Sequence, residues 1–215
     1  MNTQTPREMY YETLANTIIK NLEKRQMEGF YCPTVEEAEK KIFSYLTDGC
    51  SVSFGGSMTL EDTGMLTALR HDPNIRLIDR ANAKSPEETK QIYHDALNAD
   101  FFLMSTNAIT TAGELVNIDG NGNRVAALIY GPEHVIILAG MNKVAADVDE
   151  ALSRVHNVAT PMNCKRLHKN TPCAATGICA DCLSTDCICN QVVITRRSGI
   201  PGRIKVILIG EEFGY

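Results

Sequence analysis

CSVSFGGSMTLEDTGMLTALRHDPNIRLI, residues 50–78, decides how the rest of the chain is read. Residues 50–54 form a short apolar run of strand length, and Gly55-Gly56-Ser57 makes a turn. Residues 59–70 carry apolar side chains at helical spacing, and 74–78 return to a strand pattern. The next passage repeats the order. Ser85-Pro86-Glu87-Glu88 combines an N-cap, a first-position proline and a third-position acid, which starts a helix running to about Asn98. Residues 101–105 are again an apolar strand. This β-α-β-α-β alternation predicts an α/β domain with a mostly parallel sheet covered by helices on both faces.

Towards the N-terminus, Tyr11, Leu14, Ala15, Ile18 and Leu22 predict an amphipathic helix over 7–28 with Gly29 as its stop. Thr34 and Glu37 form a capping box for a second helix ending at Gly49. Towards the C-terminus, 115–118 and 125–129 read as two strands joined by a hairpin over 119–124, because Asp-Gly and Asn-Gly tolerate positive φ. Strands at 134–139, 192–195 and 204–209 and a helix at 147–156 complete the expectation of one domain over 1–215.

The 215 residues carry a net charge of -5, which removes the case for a nucleic-acid-binding face. No apolar run has membrane-spanning length, and the N-terminal residues lack a basic-then-apolar export pattern, so a cytoplasmic protein is expected. The apolar opening helix offers a surface for a homodimer.

In an open parallel sheet, ligands bind beyond the carboxyl ends of the strands, which brings forward residues 55–61 and 106–114. Gly55 and Gly56 would admit an anion to the backbone ahead of a helix start, with Ser57 and Thr59 adding hydroxyls; the same residues also serve as an ordinary turn and cap. Asn107, Thr110 and Glu114 form a dense polar group to which Asn123 and Arg124 can return. Glu114 is readable as a catalytic base or nucleophile, or as the ion-pair partner of Arg124. Lys143 is a candidate contact for an anionic ligand.

Six of the eight cysteines crowd into residues 164–189. In a reducing compartment, thiols so close in sequence point to metal or redox chemistry rather than disulfides. Cys173, Cys179, Cys182 and Cys189 are the expected ligands of an iron–sulfur cluster, of the four-iron kind, within a metal-binding insertion over 160–190, with zinc as the alternative. Cys187 is held in reserve, while Cys32 and Cys50 read as small core residues.

The segments GGSMTLE (55–61), STNAITTAGEL (105–115), GNR (122–124), YGP (130–132) and GMNK (140–143), in this order, resemble the lactate-utilisation (LUD) domain family across most of the chain. The resemblance implies a three-layer fold related to sugar-phosphate isomerases and CoA-transferases, a ligand site near Ser57 and Asn107, and a role near oxidation of lactate to pyruvate. It further implies a hydroxy- or oxo-acid ligand and a redox protein partner. The cysteine-rich tail and Glu114 depart from the plain family pattern. Isomerase or acyl/CoA-transferase chemistry through Glu114, and a non-catalytic partner with a structural zinc knuckle, are the competing readings.

Overall fold

Strands whose residues are buried on both sides need a covering layer on each face, and the core divides in that way. The computed structural model describes residues 4–215, so the first three residues of the expected domain lie outside the described residues. Six parallel strands run in the order β1 (Glu28–Cys32), β10 (Ile204–Ile209), β7 (His134–Gly140), β4 (Phe101–Met104), β2 (Ser51–Phe54) and β3 (Arg76–Ile78). Side chains alternate between faces along each strand. Phe102, Met104, Val135, Ile137, Val206 and Leu208 point to one side, where α1 (Pro6–Lys24), α5 (Pro86–Ala96) and α6 (Asn123–Ile129) bury Ile18, Leu22, Ala96 and Leu128. Phe101, Leu103, Ile136, Leu138 and Ile207 point to the other. There α2 (Val35–Phe43), α3 (Met58–Asp62) and α4 (Met65–His71) contribute Ile42, Leu60, Met65 and Leu69. The three layers of the expected α/β fold are present.

Beside them lies a second sheet absent from the sequence reading, in the order β8 (Val144–Ala145), β5 (Ala108–Thr110), β6 (Leu115–Asp119) and β9 (Gln191–Thr195). It packs Ala108, Val116 and Ile118 against Ala151 and Val155 of the helical segment that begins with α7 (Val148–Arg154). The polar segment 106–114 therefore folds as strand β5 and the tight turn that leads into β6, rather than as a loop.

Three local expectations are corrected. Residues 125–129 are helix α6, not a strand: Gly122 at φ +82 is its N-cap, while Asp119 Oδ1 accepts the Asn121 and Gly122 N–H groups. Positive φ at a Gly serves a helix entry as well as a hairpin, and the Ala126-Ala127-Leu128 core favours the helix. The first helix stops at Lys24 and Gln26 turns the chain at φ +59, leaving 28–32 free to form edge strand β1. Gly29 instead admits α1 to the sheet, since a Cβ there would sit 2.9 Å from Ile19 Cγ1. The helix expected over 59–70 is two, broken at Gly64, whose φ is +73.

Candidate functional site

A cavity of ≈ 520 Å³ opens at the carboxyl ends of the parallel strands. Gly56 and Ser57 follow β2, Arg80 follows β3, Ser105, Thr106 and Asn107 follow β4, and Lys143 follows β7. The end of β6 and the start of α6 supply Asp119, Asn123 and Arg124. Helix α8 (Thr160–Arg166), with residues just beyond it, adds Asn163, Arg166 and Lys169, and the cysteine segment adds Asp186 and Cys187. Six of the sequence-nominated ligand residues, Gly56, Ser57, Asn107, Asn123, Arg124 and Lys143, thus meet on one wall.

Arg124 is the knot of that wall. It donates to Ser105 O at 3.2 Å, Asn117 Oδ1 at 2.5 Å, Asn107 Oδ1 at 3.0 Å and Ile118 O at 2.8 Å, and its Nε lies 3.5 Å from Asp119. With its donors committed to the chain, Arg124 fixes the wall rather than waiting for a ligand. Gly55 does not line the cavity; a Cβ there would press on the Arg124 stem at 3.0 Å. At Gly56 it would meet Arg80 Nη2 at 2.9 Å. The Gly-Gly turn is what lets two arginines lie against the backbone.

Ser57 Oγ accepts from Leu60 N at 3.3 Å, as the N-cap of a helix only five residues long. Thr59 is buried off the cavity and donates to Phe213 O at 3.3 Å. The cap accounts for the Ser57 hydroxyl, and a contact with the C-terminal backbone for that of Thr59. Lys143 is 3% exposed, donates to Ser105 Oγ at 3.0 Å and Thr106 O at 3.3 Å, and its amine is pushed down to about 7. Burial is the main cause, followed by the Arg154 and Arg124 charges. Arg154 braces the same corner, donating to Asn142 O at 3.0 Å and Asn107 O at 2.7 Å.

Thr110 and Glu114 lie elsewhere. The Glu114 carboxylate is bonded to the Arg25 guanidinium and the Thr110 hydroxyl, and Thr110 Oγ1 accepts from Glu114 N at 3.0 Å. Its ion-pair partner is Arg25, the residue that follows α1, not Arg124. Nothing in the local sequence links residues 25 and 114; the pairing arises where α1 crosses the turn of the small sheet. The cavity cations that the sequence reading missed are Arg80, Arg166 and Lys169. A position just past a predicted strand end was the available signal for Arg80, and none distinguished the other two from solvated helix-end charges.

The cysteine thiols make separate pairwise contacts. Cys173 Sγ meets Cys164 Sγ at 3.7 Å, Cys179 Sγ meets His156 Nδ1 at 3.5 Å, Cys182 Sγ meets Ser184 Oγ at 3.6 Å, and Cys189 Sγ meets Thr160 Oγ1 at 3.8 Å. Among the described residues, no three His, Cys, Asp or Glu side chains are grouped to hold a metal ion. Cys187 neighbours Cys164, Cys182 and Cys189, so several thiols of the segment lie near one another. Burial raises the Cys164 thiol and pushes Cys189 up to about 12, whereas hydrogen bonds from Ser184 lower Cys182. His156 and Thr160 stand at a π-helical stretch (Val155–Ala159) that joins α7 to α8 just before Pro161, a residue with no N–H to continue the helical ladder. Cys32 and Cys50 are buried in the core. Among the described residues, no helix is long and apolar enough to cross a membrane.

The family model described as LUD domain matches residues 15–209. Among solved structures, a DUF162 family protein from Deinococcus radiodurans is similar over 93% of this chain and 98% of its own, at 13% identity and a TM-score of 0.53. Ribose 5-phosphate isomerase from Plasmodium falciparum is similar over 52% of each chain, at 15% identity and a TM-score of 0.32. The delta subunit of eIF2B from Chaetomium thermophilum is similar over 67% of this chain and 55% of its own, at 17% identity and a TM-score of 0.34. No curated protein matches by sequence.

Proposed function

The chain belongs to the LUD domain family, and from that premise we propose that its cavity binds a small anionic metabolite, a 2-hydroxy or 2-oxo acid of the lactate and pyruvate kind. Family membership supports a role related to lactate utilisation. The observation that carries the ligand class is charge: in a chain of net charge -5, Arg80, Arg124, Lys143, Arg166 and Lys169 all line one cavity. The two acids on its wall are engaged, Asp119 with Arg124 and Asp186 as acceptor for Asn170 N at 2.9 Å. The side chains of Arg80 and Lys169 make no hydrogen bond or ion pair among the described residues, which leaves them to take a carboxylate. Arg124 and Arg154 hold the wall rigid, and Lys143 presents an amine to the carbon bearing the hydroxyl or oxo oxygen.

Calorimetric titration with lactate and pyruvate, against neutral lactamide, tests this. The acids bind and the amide does not, and Arg80→Ala with Lys169→Ala weakens the acids at least tenfold. Equal binding by the double variant, or no binding by either acid, overturns the reading.

The cavity volume, several times that of a three-carbon acid, favours one second reading: a phosphate-bearing ligand and isomerase or acyl/CoA-transferase chemistry. Glu114, held by Arg25 outside the cavity, is badly placed as its base, so that role would fall to Lys143. Sugar phosphates and CoA esters in the same titration separate the two. Metal binding by the tail, as an iron–sulfur cluster or zinc, and with the cluster a redox role and a redox protein partner, is proposed on thiol density alone and enters no step of the ligand chemistry. Its test is iron, sulfide and zinc analysis of anaerobically purified protein.

A further inference from the structure

Lys143 differs in its surroundings from every other cation at the cavity. It sits on a single 3₁₀ turn (Met141–Lys143) at the end of β7, where the sheet delivers it to the innermost wall. Its nitrogen has two hydrogen-bond acceptors, Ser105 Oγ and Thr106 O, both uncharged. A neutral amine has two N–H groups and a lone pair, so two acceptors satisfy it completely. An ammonium has three N–H groups, and its third finds no acceptor among the described residues. No carboxylate lies within ion-pair reach of Nζ among the described residues. The charged groups acting on it are Arg154 from α7, Arg124 from α6 and, in the opposite sense, Asp62 from α3. Burial beside two guanidiniums is the environment that keeps a lysine nucleophilic near neutrality.

We infer that Lys143 is an imine-forming residue, which captures the oxo group of a 2-oxo acid held in the cavity. The inference rests on the oxo-acid reading given above and deepens it. The Nζ lone pair adds to the C2 carbonyl carbon, forming a C–N bond while the carbonyl oxygen takes up a proton. The carbinolamine then loses that oxygen as water, and Nζ gives up its second proton, leaving a C=N bond. One amine and one carbonyl become one imine and one water, and no oxidant or reductant is consumed. A 2-hydroxy acid has no carbonyl at C2 and cannot follow this course, so Lys143 separates oxo acids from hydroxy acids in one cavity.

The test is reductive trapping on the full chain. Protein is incubated with pyruvate and cyanoborohydride and mapped by peptide mass spectrometry, with lactate as the control and pyruvate binding measured in parallel. The expected result is a mass gain at Lys143 equal to pyruvic acid less its oxo oxygen, absent with lactate and absent from Lys143→Arg. Its rate rises as pH passes up through about 7, while exposed lysines react only at higher pH. Pyruvate that binds without an adduct at Lys143 overturns the inference and leaves the cavity reading standing. If pyruvate does not bind, that reading fails, and borohydride trapping with pyridoxal phosphate as the aldehyde decides the inference alone. Labelling at Lys143 supports it, and labelling confined to surface lysines overturns it.

Discussion

The cavity wall and the cysteine segment are both dense in reactive side chains, yet the fold treats them in opposite ways. At the wall, residues far apart in sequence converge: Arg124 from α6 binds Ser105, Asn107, Asn117 and Ile118, and Lys143 from the end of β7 joins Ser105 and Thr106. In the segment, thiols close in sequence meet only pairwise. Cys164 Sγ lies 3.7 Å from Cys173 Sγ and Cys187 neighbours Cys182 and Cys189, while Cys179 turns to His156; of these, Cys187 lines the cavity. Parallel strands ending at one edge force their following residues together, whereas a short irregular segment imposes no shared direction on its side chains. Proximity along the chain is a weaker sign of a site than a common strand edge.

The largest test of this contrast is Arg124→Met. It removes the charge paired with Asp119 and one donor each from the amide oxygens of Asn107 and Asn117, which keep only backbone N–H partners, and removing one partner of a buried charged network costs ~3–5 kcal/mol. Urea unfolding should show that loss, together with loss of acid binding. A variant of unchanged stability would mean that the wall is not knotted at this residue.

Lys143→Met acts in the opposite direction on stability. The amine is held near 7 in the folded chain and titrates near the ordinary lysine value when unfolded. Between these values the unfolded chain binds more protons, so the folded state gains stability as pH rises through that window, and below it carries the full penalty of a buried charge. Methionine removes the penalty, on the order of a few kcal/mol at pH 7. The advantage of the variant shrinks towards pH 10, while its reductive trapping by pyruvate is lost. Unfolding midpoints at the two pH values check this, and a pH-independent difference would contradict it.

Glu114→Gln is expected to cost about 1 kcal/mol, since the pair with Arg25 is partly exposed, and to leave binding of pyruvate and lactate unchanged. A large fall in affinity would return Glu114 to the site. The smallest effect is that of Cys182→Ser, which should leave Tm and acid binding where they are. Stoichiometric iron and sulfide in anaerobic protein, lost on this substitution, would erase the contrast altogether, because thiols that hold a cluster must converge.

Legibility followed the physics of each element. The strands at 101–104 and 134–140 and the Ser85 and Thr34 caps were readable because continuous apolar runs and capping residues act locally. The reading failed where one local pattern has two uses. Positive-φ glycine at 122 enters a helix as readily as it closes a hairpin, and a glycine after a helix, as at 29, permits close packing as readily as it stops the helix. Lys143 and Asn107 were nominated as ligand contacts, but the partners that define their chemistry were not visible.

By itself the sequence determined the α/β class, the parallel core and the strand ends at which a ligand would lie, because hydrophobic periodicity and caps are short-range and oblige each strand to be covered on both faces. Only the tertiary structure decided which charges matter. Desolvation, the commitment of Arg124 to its neighbours, the diversion of Glu114 to Arg25 and the satisfaction of Lys143 as a neutral amine all depend on groups brought together from distant positions, and electrostatic energy follows distance in space rather than distance along the chain.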